Sequence, residues 1–282
     1  MKLPFLSSAE VEQRIDVAGA ADAMEAVLKT GFDPETDPPR SAVEVGAGEL
    51  LVMPSAVGGH AAVKLVSVGG EPRIQGLCVV FDGRTLAPVG LVDGIALTNL
   101  RTPAVSALAV RRLTGPRARR LLVFGRGPQA QAHVEAMRAI RPIDHVDMIG
   151  REGGDVDELV AAADLICCCT TARAPLFDGE LVADGATVVA IGSHESNARE
   201  VDDALVRRAT VVVESRTSAL REAGDVIGAI HSGALEESRL LTLAELVRDN
   251  PSLDPRRPRL FKSTGMGWED AVVAAAVVRA ES

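Results

Sequence analysis

Tyrosine is absent from this 282-residue chain, and one Trp and six Phe leave an aromatic share of only 2%. Platforms that bind single-stranded nucleic acid by stacking need aromatic faces, so that class of partner is disfavoured on composition alone. Positive charge is also scarce: 30 Lys and Arg face 39 Asp and Glu, a net charge of −9. Such a chain repels phosphate backbones and anionic lipid, and neither nucleic acid nor membrane is expected as a partner. The four cysteines, Cys78 and the run Cys167-Cys168-Cys169, contain no CxxC spacing. The run lies in an apolar stretch and reads as small hydrophobes on a buried strand, with no metal site implied. No uninterrupted apolar stretch reaches the roughly 18 residues of a membrane span. A basic region followed by an apolar run is missing from the N-terminus. A cytoplasmic protein is the expectation.

What is present is aliphatic. Hydrophobic residues make up 47% of the chain, so the core must be built from Val, Ala, Leu and Ile, as buried parallel strands prefer. Ser7 and Glu10 have capping-box spacing and open a first helix; a second is expected over 20–29. Residues 31–40 form a loop rich in Asp and Pro. From 41 to 93 the runs 49–53, 62–68, 77–81 and 88–92 are separated by Gly, Pro and Asp turns, an antiparallel pattern. Thr102-Pro103 reads as the start of a helix, with Thr102 as cap and Pro103 at the first position. The texture then becomes βα, with strands at 120–124, 145–149, 165–169, 187–191 and 211–214 and helices between them. That alternation calls for a doubly wound parallel sheet. A Pro/Arg-rich loop over 250–259 and an apolar helix over 269–280 close the chain.

The strand at 120–124 runs into Gly125-Arg126-Gly127-Pro128-Gln129-Ala130, a GxGxxA turn opening a helix. Gly125 permits the tight turn, Gly127 lets the backbone approach a pyrophosphate, and Ala130 allows close packing of helix on strand. The helix N-terminus offers N–H groups and a positive dipole end to phosphate. Residues 119–192 are therefore expected to bind a nicotinamide dinucleotide. At the end of the second strand, about 24 residues after Gly127, an acidic residue would grip the ribose hydroxyls of NAD. Arg151 stands there and suits a 2′-phosphate, favouring NADP(H); Glu152 beside it leaves NAD(H) open.

The chain resembles the ornithine cyclodeaminase/mu-crystallin family along nearly its whole length. The words that carry the resemblance include Pro39-Arg40, Met53-Pro54, Lys64-Leu65-Val66, Leu91-Val92-Asp93-Gly94, Thr98-Asn99-Leu100-Arg101-Thr102, the Gly125–Ala130 turn with His133, Thr170-Thr171, Arg199-Glu200 and Phe261-Lys262-Ser263-x-Gly265. The resemblance implies an α/β fold: a Rossmann domain over 115–258, plus a smaller α+β substrate and dimerisation domain from 1–114 together with 259–282. It also implies a homodimer, and a hydride transfer at the α-carbon of an amino or imino acid. Thr102, Gln129, Thr170, Gly192 and Gly265 would join Gly125, Gly127, Ala130 and Arg151 around the cofactor. Arg40, Lys64 and Arg101 would hold the substrate carboxylate. Taken alone, Lys64 amid apolar neighbours reads either as an edge-strand lysine or as an anion ligand.

Cyclodeaminases of the family carry an Asp after the Gly-Ser that closes a Rossmann strand. Here Ile191-Gly192-Ser193 leads to His194. The resemblance is therefore closer to the reductase branch, with Lys64 or His194 handling a proton. His194 reads equally as a loop histidine packed beside the cofactor. Two segments, 67–76 and 150–156, are short for the family, and the second implies a Rossmann sheet lacking a strand. The expected activity is NAD(P)H-dependent reduction of an imino acid or the reverse dehydrogenation. The alternatives are a cyclodeaminase lyase using catalytic NAD, and a non-catalytic NADPH- or ligand-binding protein like mu-crystallin.

Overall fold

The computed structural model describes residues 3–150 and 156–280. The chain forms two compact units, Met1–Val105 with Met266–Ser282, and Ser106–Gly265. The sequence reading set its boundaries at 114/115 and 258/259. No helix among the described residues is long and apolar enough to cross a membrane.

The first unit begins with β1 (Phe5–Leu6), α1 (Ser8–Arg14) and α2 (Val17–Lys29). The Glu10 carboxylate accepts from the Ser7 N–H and Oγ at 2.8 and 2.6 Å, closing the first turn of α1. Strands β2 (Ser41–Val45), β3 (Gly48–Val57), β4 (His60–Gly69), β5 (Ile74–Asp82) and β6 (Pro88–Asp93) follow as an antiparallel meander, and β1 adds in parallel beside β6. Alternate residues of β3 and β4 are buried: Leu51, Met53, Ser55 and Val57 on one, Ala62, Lys64 and Val66 on the other. This is the period-2 pattern of a half-covered sheet. The covering elements include α10 (Gly267–Arg279), which lies across β3 and β4 and against α2.

Helix α3 (Gly94–Leu113) starts eight residues before the expected Thr102. The Asp93 carboxylate accepts from the Ile95 and Ala96 N–H groups at 2.9 Å each, which satisfies the first turn there. Thr102 is therefore no cap, and Pro103 lies inside the helix.

The second unit is the Rossmann sheet. Its strands are β7 (Arg120–Phe124), β8 (His145–Ile149), β9 (Leu165–Cys168), β10 (Thr187–Ala190), β11 (Thr210–Val213), β12 (Leu241–Thr242) and β13 (Arg259–Lys262). They are all parallel, in the order β12-β11-β13-β10-β9-β7-β8. Helices α4 (Pro128–Ile140), α5 (Val156–Ala162), α6 (Asp203–Arg208), α7 (Arg216–Glu222), α8 (Gly224–His231) and α9 (Leu243–Asp249) connect them. Among the described residues β8 is the sheet edge, with no strand beyond it. The Pro/Arg-rich loop ends sooner than expected, because Arg259–Lys262 inserts as β13 between β10 and β11. Four residues beside prolines carry too little pattern to announce a strand; two flanking strands supply the ladder. Cys167 and Cys168 fill β9 as buried free thiols, as their apolar setting indicates, and Cys169 lies just past its end.

Candidate functional site

In the Rossmann unit the chain leaves β7, goes to β8 on one side and returns to β9 on the other. The carboxyl ends of β7 and β9 therefore bound a topological switch point, where open α/β sheets bind ligands. Gly125 follows β7 with φ +114, and a Cβ there would come within 2.5 Å of the Cys169 carbonyl oxygen. Only glycine fits this approach. Gly127 meets nothing within 4 Å where its side chain would be, so the turn opens outward. Gly127 caps α4 and Pro128 takes the first helical position. Ala130 is fully buried beneath the turn. These features fit a pyrophosphate cradle: an open backbone turn at a helix N-terminus, with no side chain in the way.

Behind the cradle, His133 is buried on α4 between two partners. One ring nitrogen lies 2.7 Å from the Gln129 carbonyl oxygen and the other 2.9 Å from Ser106 Oγ. Burial pushes its pKa down to about 4, so the ring is neutral and accepts from Ser106. It ties α4 to α3 and is closed to chemistry.

The exposed Arg126 donates to the Met148 carbonyl at 3.4 Å, at the end of β8. The sequence reading placed 2′-phosphate recognition on Arg151, which lies outside the described residues. Thr170 follows β9, and Gly192 follows β10. Buried Glu200 joins them, accepting from Thr170 N, Thr170 Oγ1 and Gly192 N at 3.0, 2.8 and 2.7 Å. Gly265 (φ +76) is held by the buried Glu214 carboxylate, which also accepts from Ser263 Oγ at 2.6 Å and Thr264 N at 2.9 Å. His194 is half-buried in the loop after β10. Its neighbour Glu195 pairs with Arg173 at 2.6 Å, which links that loop to the one after β9.

In the first unit, Lys64 occupies the centre of β4, between β3 and β5. The edge-strand reading is thereby excluded. Its row across the sheet is Met53, Lys64, Cys78 and Val92, all buried. Its ammonium pairs with Asp270 of α10 at 2.8 Å, both residues all but inaccessible. Arg101 of α3 reaches the same helix, with Nη1 3.0 Å from Glu269 Oε2 and Nε 3.2 Å from Asp270 Oδ1. Two cations and two carboxylates thus balance inside the fold. Burial lowers the Lys64 pKa to about 8, and the Asp270 charge opposes that shift. Asp37, in the loop that carries half-buried Arg40, accepts from Ser55 Oγ at 2.5 Å and from Trp268 N at 3.0 Å. It fastens that loop to the first turn of α10. Burial raises its pKa to about 6.

Glu269, Asp270, Asp37, Glu200, Lys262 and Asp225 carry no role in the sequence reading. The available signal was charge inside apolar runs: Glu269-Asp270 heads an otherwise apolar helix, and Lys262 ends Leu260-Phe261. Among the described residues no group of three or more His, Cys, Asp or Glu side chains has metal-binding geometry.

A parallel doubly wound sheet with a GxGxxA turn at its switch point, joined in one chain to a six-stranded sheet, defines a two-unit protein of the Rossmann dinucleotide-binding class. The chain belongs to the ornithine cyclodeaminase/mu-crystallin family, whose profile matches residues 1–154 and 151–281. It is 33% identical to the ketimine reductase mu-crystallin of Mus musculus over 303 residues, covering 96% of this chain and 95% of that one. It is 33% identical to the Δ1-pyrroline-2-carboxylate reductase of Colwellia psychrerythraea over 232 residues, 73% of each chain. The Thermococcus litoralis Δ1-pyrroline-2-carboxylate reductase, solved with NADH and L-proline, superimposes with a TM-score of 0.90 at 26% identity, covering 98% of this chain and 96% of that one.

Proposed function

We infer that this protein is an NAD(P)H-dependent reductase of an imino acid, of the ketimine or Δ1-pyrroline-2-carboxylate type, working also as the reverse amino-acid dehydrogenase. The observation that carries the reading is the near full-length likeness to the ketimine reductase mu-crystallin and to the Thermococcus Δ1-pyrroline-2-carboxylate reductase, in a chain whose Gly125–Ala130 turn fits the cofactor pyrophosphate. His194, in place of the cyclodeaminase carboxylate, supports reduction over deamination.

When bound, the reduced nicotinamide supplies the hydride that the C=N carbon receives. The protein's own residues hold the substrate and deliver the proton that the nitrogen takes up. An ammonium has three N–H donors. Among the described residues Asp270 is the only hydrogen-bonding partner of Lys64, which leaves donor capacity for a substrate carboxylate. Arg101 and Arg40 supply the remaining cationic character, as planar forks suited to a carboxylate. Lys64, with its lowered pKa, is the proton source best placed near neutrality, and His194 is the second. Arg126 at the end of β8 supports NADPH over NADH, since a guanidinium there suits a 2′-phosphate.

The working form is a homodimer in the cytoplasm. Strand β2 is exposed along its length, with Val43 and Val45 more than half accessible, and such an edge invites pairing with a second copy. Four free thiols suit a reducing compartment.

The test is a steady-state assay of the purified chain with Δ1-pyrroline-2-carboxylate and NADPH. Substrate-dependent net NADPH consumption is expected. Ammonia release from ornithine without net cofactor change would show a cyclodeaminase instead. NADPH binding without turnover on any imino acid would show a ligand-binding protein.

A further inference from the structure

Among the buried ionisable side chains of the Rossmann unit that have no part in the reaction, Glu200, Asp225 and Lys262 lie together. They form one chain of contacts. Lys262, the last residue of β13, donates from Nζ to the Ser193 carbonyl at 2.9 Å and pairs with Asp225 Oδ2 at 2.9 Å. Asp225, in the first turn of α8, accepts from the Glu200 and Val201 N–H groups through Oδ1 at 2.7 and 3.0 Å. Glu200 turns its carboxylate the other way, onto Thr170 and Gly192. β9 and β10 are adjacent and in register through Cys168 and Ala190, so the carboxylate clamps the segments that leave two neighbouring strand ends. At Gly192 an added Cβ would fall on the Thr170 carbonyl oxygen and on Glu200 Oε1. No other residue fits there.

Such an arrangement is hard to explain as a device for stability. Burying three charges costs desolvation that their mutual attraction only offsets, and apolar replacements of buried ion pairs are often neutral or better. What the triad does supply is geometry: one carboxylate and one ammonium hold Thr170, Gly192 and Ser193 from beneath by four hydrogen bonds.

We propose that Glu200, braced by Asp225 and Lys262, is a positioning residue that fixes the strand-end loops at Thr170 and Gly192 as the floor for the nicotinamide half of the cofactor. This rests on the cofactor reading above. The adenosine half depends on the Gly125–Ala130 turn and the end of β8, which the triad does not touch. The two halves of the ligand should therefore respond differently when the clamp is loosened.

The variant is Glu200→Gln, which keeps the shape but turns an NH2 group toward either the Thr170 or the Gly192 donors. NADPH and the fragment 2′,5′-ADP, which lacks nicotinamide, are titrated in parallel by fluorescence and calorimetry. NADPH is expected to bind about tenfold more weakly, the scale of one lost hydrogen bond between buried groups, while 2′,5′-ADP is unchanged. With substrate, kcat is expected to fall by about a hundredfold, as for a misplaced reacting ring. Equal weakening of both ligands, or none of either, overturns the proposal. A wild-type chain that binds neither NADPH nor 2′,5′-ADP overturns the cofactor reading itself. Thr170→Val removes the hydroxyl bond to Glu200 and the longer one that the same hydroxyl accepts from Ala172 N at 3.2 Å, and leaves the Glu200 carboxylate in place. It should reproduce the split in smaller measure, and serves as the deciding variant if Glu200→Gln does not fold.

Discussion

Lys64 and Asp270 are 206 residues apart in the chain and meet as a buried ion pair at 2.8 Å. Arg101 Nε lies 3.2 Å from the same carboxylate. Two of the three cations expected from the family resemblance, Lys64 and Arg101, are thus held by the acidic start of α10.

Lys64→Met removes one partner and leaves a carboxylate buried. Breaking such a pair costs about 3–5 kcal/mol, and the remaining contact with Arg101 puts this case at the lower end. Urea unfolding checks it. The double variant Lys64→Met/Asp270→Leu should regain most of the loss; a double variant no more stable than the single would show that the loss does not come from a stranded carboxylate and that the pair itself contributes net stability.

The proposed role of Lys64 predicts an alkaline limit to activity. Burial lowers the Lys64 pKa from the ordinary 10.5 to about 8 in the folded chain. A depressed lysine stabilises the fold above its unfolded value, and that contribution is lost as pH falls through about 8. On the proposed role of Lys64, activity is expected to run the other way, because the ammonium assigned to the substrate carboxylate loses its charge as pH rises past about 8. We expect kcat/KM to fall with a one-proton slope on that side, and Lys64→Arg to push the limb upward. An identical limb in the arginine variant would rule out Lys64 as its source.

Arg126 is exposed and carries no core packing. Arg126→Ala should leave the melting temperature alone and weaken NADPH by about tenfold, as loss of a charge-assisted contact implies. NADH affinity should stay constant. Competition titrations with the two cofactors measure the ratio, and a parallel loss for both would dismiss a role in 2′-phosphate recognition.

Asp37 links the Arg40 loop to α10 through Ser55 and Trp268. Asp37→Ala should cost about 1–2 kcal/mol, the value of a lost helix cap, and should raise KM for the imino acid by loosening Arg40. The carboxyl is raised from 3.8 to about 6 by burial. Its stabilising contribution is therefore complete below 3.8 and is lost as pH rises through about 6. Comparing the urea midpoints of wild type and Asp37→Asn across that range checks the sign.

Much of the fold was legible because its signals are local. Strand-like runs separated by Gly, Pro and Asp turns announced the meander from β3 to β6, and strand–turn–helix texture around Gly125 announced the dinucleotide turn. Where a tertiary partner decides, the local signal misled. Asp93 Oδ1 accepts from two N–H groups and starts α3 well before Thr102-Pro103. β13 is a strand because β10 and β11 flank it, although its own four residues follow a loop rich in Pro and Arg.

The same division holds for the site. The sequence by itself determined the GxGxxA turn suited to a dinucleotide pyrophosphate, the family words around Arg40, Lys64 and Arg101, and the replacement of a carboxylate by His194. These are questions of residue type at short spacing. Only the tertiary structure decided that Lys64 lies on a central strand against Asp270, and that Glu200 holds Thr170 and Gly192 with Lys262 and Asp225 behind it. The reason is physical. A buried charge must find an opposite charge or a hydrogen-bonding partner to offset its desolvation, but no local pattern says which distant residue will provide it.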